Sequence, residues 1–108
     1  MDGTRLISLE YFADPTIKLV KDNGETHTGT DYRFVEWDEN DKFKTFHHEP
    51  EVNYSVMIDP QRANYTWLTT PITEIESDAV ETGVRCIAFK TKNSNYKLYI
   101  GIDGSKID

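Results

Sequence analysis

Val84-Arg85-Cys86-Ile87-Ala88-Phe89-Lys90-Thr91-Lys92-Asn93-Ser94-Asn95-Tyr96-Lys97-Leu98-Tyr99-Ile100-Gly101-Ile102 is the stretch that decides the fold. It holds two β-rich runs, Val84–Thr91 and Tyr96–Ile102, joined across the polar turn Lys92-Asn93-Ser94-Asn95. In the second run Tyr96, Leu98, Ile100 and Ile102 alternate with Lys97, Tyr99 and Asp103. A period of two places the first set on a core face and the second on a solvent face. Gly101 falls on the outer face, where it admits a close backbone approach.

The same grammar extends upstream. Arg5–Phe12 reads as a strand ended by Asp14-Pro15. Ile17–Lys21 follows, then Asp22-Asn23-Gly24-Glu25, where Asn-Gly between β-runs is the strongest short hairpin signal. Thr26–Trp37 is a longer run that Gly29 is expected to bend or bulge. Asp38-Glu39-Asn40-Asp41 is a polar turn from which Lys42–His47 returns. Val52–Ile58 alternates with Val52, Tyr54, Val56 and Ile58 on one face. Tyr65–Thr70 and Ile72–Glu76 read as one strand bent at Pro71, and Ser77–Gly83 as a loop. No segment holds a helical period for three turns, and Ile72–Val80 is the one place for a short helix. The expectation is a single all-β domain over 1–108: an antiparallel sandwich or small barrel of seven to nine short strands with at most one short helix.

Composition supports a folded domain. The chain has 108 residues, 37% hydrophobic and 29% charged, and its two Trp, six Tyr and five Phe set it apart from disordered chains. Its formal charge of −7 is unevenly placed. Residues 1–59 hold thirteen acids and six bases, whereas residues 60–108 hold six of each. This balance opposes contact with a nucleic-acid backbone or an anionic membrane and favours a partner with a basic surface. The single cysteine excludes an internal disulfide and fits a reducing compartment. The start MDGTRLISLEYF lacks the pattern of a signal peptide, and no apolar run approaches a membrane span, so a cytoplasmic location is expected. The sequons at Asn53 and Asn64 then have no role.

Chemistry-bearing clusters are few. His47-His48 with Glu49 and Glu51 resembles metal ligands, but adjacent strand residues point to opposite faces, so the pair reads as a polar strand end. Cys86 sits mid-strand among apolar residues, where a thiol is inert. No Gly-rich phosphate loop or nucleophile signature is present, and neither an enzyme nor a cofactor is expected.

The sharpest candidate is acidic: Asp31, Glu36, Asp38, Glu39, Asp41, Glu49 and Glu51. Glu36–Asp41 crowds around a turn, flanked by the rest, with aromatic neighbours Tyr32, Phe34, Trp37, Phe43 and Phe46. Such a ridge is suited to an Arg/Lys-rich groove, with charge setting the on-rate and Trp37 as anchor. Trp37 and Trp67 both lie on mixed faces, so core and interface stay open for each. The alternative site is basic. Arg85, Lys90, Lys92 and Lys97, with Tyr99, lie on the final hairpin and are expected to hold a nucleotide or sugar if they converge. A third possibility is a homo-oligomeric part of a virion or other assembly, with exposed strands pairing between copies.

Two segments carry a resemblance: Trp67-Leu68-Thr69-Thr70-Pro71-Ile72-Thr73-Glu74-Ile75 and Phe89-Lys90-Thr91-Lys92-Asn93-Ser94-Asn95-Tyr96-Lys97-Leu98. A Thr-rich strand that leads to a T-x-N-S-x-Y hairpin resembles a pattern in small, uncharacterised acidic β-proteins of bacteriophage and mobile elements. It covers under half of the chain. The resemblance implies a phage-type protein that acts by binding a host protein, as inhibitors of defence or nucleic-acid-processing proteins do.

Overall fold

The computed structural model describes residues 16–59 and 67–102, and within them the protein is all-β. The expected strand at Arg5–Phe12 lies outside the described residues. Nine strands follow one another: β1 Ile17–Lys21, β2 Thr26–Gly29, β3 Asp31–Trp37, β4 Phe43–His47, β5 Ser55–Asp59, β6 Trp67–Leu68, β7 Ile72–Glu81, β8 Val84–Thr91 and β9 Asn95–Gly101. They form two antiparallel sheets, one of order β2-β1-β9-β8-β7 and one of order β4-β3-β5-β6. Among the described residues no helix is long and apolar enough to cross a membrane.

The quoted hairpin is the centre of the larger sheet. Phe89 pairs with Tyr96, Ile87 with Leu98 and Arg85 with Ile100, so these residues share one face. β1 extends that face with Ile17 and Leu19, opposite Ile100 and Leu98. From the smaller sheet Phe34, Val56 and Ile58 project into the same buried cluster, which Ile72 completes. The two sheets therefore share one core, as in a sandwich. Each large apolar side chain removed from water there contributes about 1.5–3 kcal/mol before chain entropy is counted. Trp67 is partly buried, packs against this core and stacks on His27 with centroids 4.2 Å apart. Tyr32 and Phe34, expected beside an acidic surface, belong to the core as well.

Turn chemistry places the hairpins. Gly24 has φ 93°, and Asn23 accepts the Glu25 N–H through its side chain at 2.8 Å. Thr82-Gly83 joins β7 to β8 with φ of 50° and 78°, the left-handed pair that matches strand twist. The segment 77–83, expected as a loop, is thus strand up to Glu81, and the short helix expected at Ile72–Val80 is strand throughout.

The two expected bends are changes of sheet. After Gly29 the chain leaves β2 in the larger sheet and enters β3 in the smaller one. At Pro71 it passes from β6 in the smaller sheet to β7 in the larger. β5 starts at Ser55, later than expected, because Asn53 has φ 79° and forms a turn, leaving Val52 exposed. Cys86 faces outward beside Tyr99 and is partly exposed, contrary to its expected burial.

Candidate functional site

The β3–β4 hairpin carries the features that set this molecule's surface apart. Its turn is built by Asp38, whose Oδ1 accepts the backbone N–H groups of Asn40 at 2.8 Å and Lys42 at 3.0 Å. Asp41 closes the turn with φ 62°, a left-handed position that Asp tolerates better than most residues. The register pairs Val35 with Phe46 and Trp37 with Phe43, so all four share the outer face of the smaller sheet. Phe43 and Phe46 are 52% and 43% exposed, with ring centroids 4.7 Å apart. The Arg33 guanidinium lies 5.2 Å from the Phe46 centroid, and Leu68 adds a further exposed apolar side chain. Large exposed apolar side chains gathered on one sheet face are uncommon without a partner.

Trp37 is fixed at the edge of this face. Its Nε1–H donates to Ser55 Oγ at 2.9 Å across the β3–β5 pairing. Beside it lies a depression of about 410 Å³ lined by Trp37, Asp41, Ser55, Thr69, Thr70 and Pro71. A second, of about 320 Å³, is lined by Trp37, Asp38, Glu39, Asp41, Asn53 and Pro71. Thr69 helps to shape the first: its Oγ1 accepts the Val56 N–H at 2.9 Å and donates to Thr70 O at 2.8 Å.

The predicted acidic residues do not form one ridge. Glu36 faces the interior side of β3 and binds His47 Nε2 at 2.7 Å and Lys44 Nζ at 3.2 Å. The His47 contact, and then Lys44, hold its carboxyl below the usual range. Glu49 is engaged by Arg85, whose hydrogen bonds lower its carboxyl. Asp31 begins β3, at the end of the strand away from the turn, and binds the Tyr32 N–H at 2.9 Å and Arg33 at 3.4 Å. Asp38 is occupied by the turn. Glu51 sits beside Tyr54, whose hydroxyl is pushed up by burial and then by Glu51. Glu39 and Asp41 remain, and neither carboxylate has an intramolecular partner among the described residues, although the Asp41 backbone N–H donates to Asp38 O at 3.0 Å.

The basic alternative does not assemble either. Arg85 lies on the inner face of β8, where Asp78 and Glu49 hold it with hydrogen bonds of 2.6–3.1 Å. Lys97 and Tyr99 lie on the outer face of β9, and Lys90 on that of β8 is paired with Glu76 at 3.6 Å. Lys92 is in the β8–β9 turn. A depression of about 330 Å³ does include Lys97 and Tyr99, but Asp22 and Glu76 line it too, so an anion meets both signs of charge.

His47 and His48 separate as expected, with His47 stacked on Tyr54 at 4.6 Å and His48 exposed. Among the described residues no three His, Cys, Asp or Glu side chains are grouped to hold a metal. Sequence reasoning missed Ser55, Thr69, Thr70 and Pro71 as neighbours of Trp37. Only the β3–β5 register brings Ser55 there, and nothing in the local sequence announces it. No family model matches the chain, and neither a curated protein nor a solved structure matches it.

Proposed function

We propose that the protein is a non-enzymatic binding domain that docks, through the outer face of its smaller sheet, on a host protein with an Arg/Lys-rich surface. The observation that carries this reading is the β3–β4 hairpin. It presents Trp37, Phe43 and Phe46 on one face and two carboxylates without partners, Glu39 and Asp41, at its tip. An apolar centre with a charged rim is the anatomy of a protein interface. The net charge of −7 supplies steering toward a basic partner. The resemblance to phage-type proteins suggests an inhibitor of a host defence or nucleic-acid-processing protein, since such targets carry basic surfaces.

The test is capture from bacterial lysate by three proteins: the parent, Glu39→Gln/Asp41→Asn, and the charge-matched control Glu74→Gln/Glu81→Gln on β7. Asn at position 41 keeps a residue that accepts positive φ, so the turn survives. One partner held by the parent and the β7 control, released at high salt and lost by the hairpin variant, supports the reading. Equal capture by all three refutes the surface, and no capture by the parent refutes the function.

A further inference from the structure

We propose that two copies of this chain pair through the free edge of β7, which continues the larger sheet across a two-fold axis. Of the four sheet edges among the described residues, three carry a feature that discourages a further strand. β2 has four residues and β6 two, and β4 is broken by the register shift opposite Glu36 and Trp37. β7 is the longest strand, at ten residues. Its own register shifts lie between Ile72 and Ser77, and from Ser77 to Glu81 its pairing with β8 is regular. The outward N–H and C=O of Ile72 are already taken by Tyr54 O and Asn53 N, at 2.7 and 2.8 Å. The open, regular part of this edge is therefore Ser77–Glu81.

The β7–β8 turn decides which backbone groups that edge displays. Thr82 and Gly83, both at positive φ, make a two-residue hairpin whose flanking residues, Glu81 and Val84, bond to each other. Bonded and non-bonded pairs alternate along an antiparallel ladder. Ala79–Cys86 is thus a bonded pair, whereas Val80–Arg85 and Asp78–Ile87 are not. The N–H and C=O groups of Asp78 and Val80 point away from β8, and no described residue bonds to them there.

These groups are self-complementary. With the axis at Ala79, Asp78 of each copy lies opposite Val80 of the other, and each such pair exchanges two backbone hydrogen bonds. On the outer face Ala79 meets its own copy, and Ser77 lies opposite Glu81, whose carboxylate can accept its hydroxyl. Over Ser77–Glu81 no carboxylate then opposes another. A slip of two residues either sets Asp78 against Asp78 or runs the ladder into the Thr82–Gly83 turn. An inward charge such as Asp78 ordinarily keeps strands off an edge. Here Arg85 engages both its oxygens, at 2.8 and 2.6 Å. Val80, at 60% the most exposed of the large apolar side chains described, gains cover. The axis is perpendicular to the larger sheet, so both smaller sheets lie on one side of the pair and two β3–β4 faces are presented together.

The test is sedimentation equilibrium of the full chain at low and high salt. The expected result is a dimer with a dissociation constant on the order of 0.1 mM in about 0.5 M NaCl. Each copy carries −7, so the dimer should tighten several-fold as salt screens that repulsion. Partner capture through the β3–β4 face has the opposite salt dependence, so the two readings fail separately. Val80→Pro removes an outward N–H that the β8 ladder does not use, and should weaken dimerisation about ten-fold or more. Ala79→Cys/Cys86→Ser reads the register directly. Opposed non-bonded residues have Cα atoms about 4.5 Å apart, within disulfide range. Mild oxidation should give a covalent dimer on a non-reducing gel, whereas Ser77→Cys/Cys86→Ser, which faces Glu81, should stay monomeric. If Val80→Pro fails to fold by circular dichroism, the two cysteine variants decide. A monomer at about 1 mM in high salt, a folded Val80→Pro that dimerises as well as the parent, or equal cross-linking of both cysteine variants would each overturn the proposal.

Discussion

Arg85→Met is expected to lower the unfolding free energy by about 2 kcal/mol at pH 7, close to 10 °C in Tm for a domain of this size. Arg85 joins the larger sheet to the segment between β4 and β5. Its guanidinium contacts Asp78 at 2.8 and 2.6 Å and Glu49 at 3.1 and 2.8 Å. Hydrogen bonds to charged groups contribute about 1.5–3 kcal/mol when sheltered from water. Exposed ion pairs contribute about 0.2–1 kcal/mol. The Glu49 side chain is 73% exposed, so its share is about 0.5 kcal/mol. Asp78 is 34% exposed and Arg85 only 18%, which puts that half near 1.5 kcal/mol. Neither carboxylate is buried, so both regain water when the partner goes, and the larger penalty for an abandoned buried charge does not apply. Met preserves most of the stem packing. The pH dependence supplies the refutation. Arg85 holds both carboxyls below their ordinary values of 3.8 and 4.5 in the folded state. A depressed carboxyl stabilises the fold above its unfolded value, and that stability is lost as pH falls through the folded value. Urea unfolding of parent and variant at pH 7 and about pH 2.5 should therefore show a gap that closes in acid. A gap below about 0.5 kcal/mol at pH 7 would refute the reasoning, as would an equal gap at both pH values.

Phe89→Ala should cost about 4 kcal/mol in the same urea assay, because Phe89 is fully buried and stacks on Tyr96 at 5.2 Å. Asp41→Ala should cost about 1 kcal/mol by thermal unfolding, since a Cβ without a compensating polar group stays in the left-handed region, whereas Asp41→Gly should change stability by less than about 0.5 kcal/mol. Asp38→Ala should cost about 1–2 kcal/mol, through loss of two backbone N–H partners, and broaden the amide signals of the turn. Phe43→Ser/Phe46→Ser should reduce partner capture and cost about 2 kcal/mol of stability, since the rings are 52% and 43% exposed and so about half withdrawn from water.

The strands that sequence reasoning read well are those with an unbroken period of two. β8 and β9 keep the register Phe89–Tyr96, Ile87–Leu98, Arg85–Ile100 without interruption; the inward residues of β9 are visible in the alternation, whereas in β8 the inward charge of Arg85 and the outward Cys86 are not. β7 hid for a specific reason. Register shifts between Ile72 and Glu74 and between Ile75 and Ser77 insert extra residues into the edge strand. They bring Ile72, Ile75 and Asp78 to the same side at intervals of three, which imitates one turn of helix. Beyond Ile75 the strand is exposed, so no apolar alternation corrects the impression. Gly29 and Pro71 mark real bends, but a bend signal does not say which sheet the next strand joins. That depends on which apolar faces can close over one another, a property of the whole chain.

The acidic surface was legible as composition and illegible as geometry, because a sequence counts charges without showing which are already engaged. Glu36, Asp38 and Glu49 look equivalent to Glu39 and Asp41 in a list of residues. In the fold the first three hold His47 and Lys44, the turn backbone, and Arg85 respectively. Removing any of these would disturb the scaffold as well as a partner, so loss of binding in such variants says little about contact. Glu39 and Asp41 are the pair whose neutralisation leaves the described contacts intact. The two roles of charge then separate. The chain's overall excess acts over a Debye length of about 8 Å at physiological salt and raises the encounter rate for any basic partner. In the docking proposed above, discrimination between partners would rest on short-range contact with the fixed ring of Trp37, the exposed Phe43 and Phe46, and two unpaired carboxylates. A basic protein that fits this face should therefore leave more slowly than one that merely shares its charge.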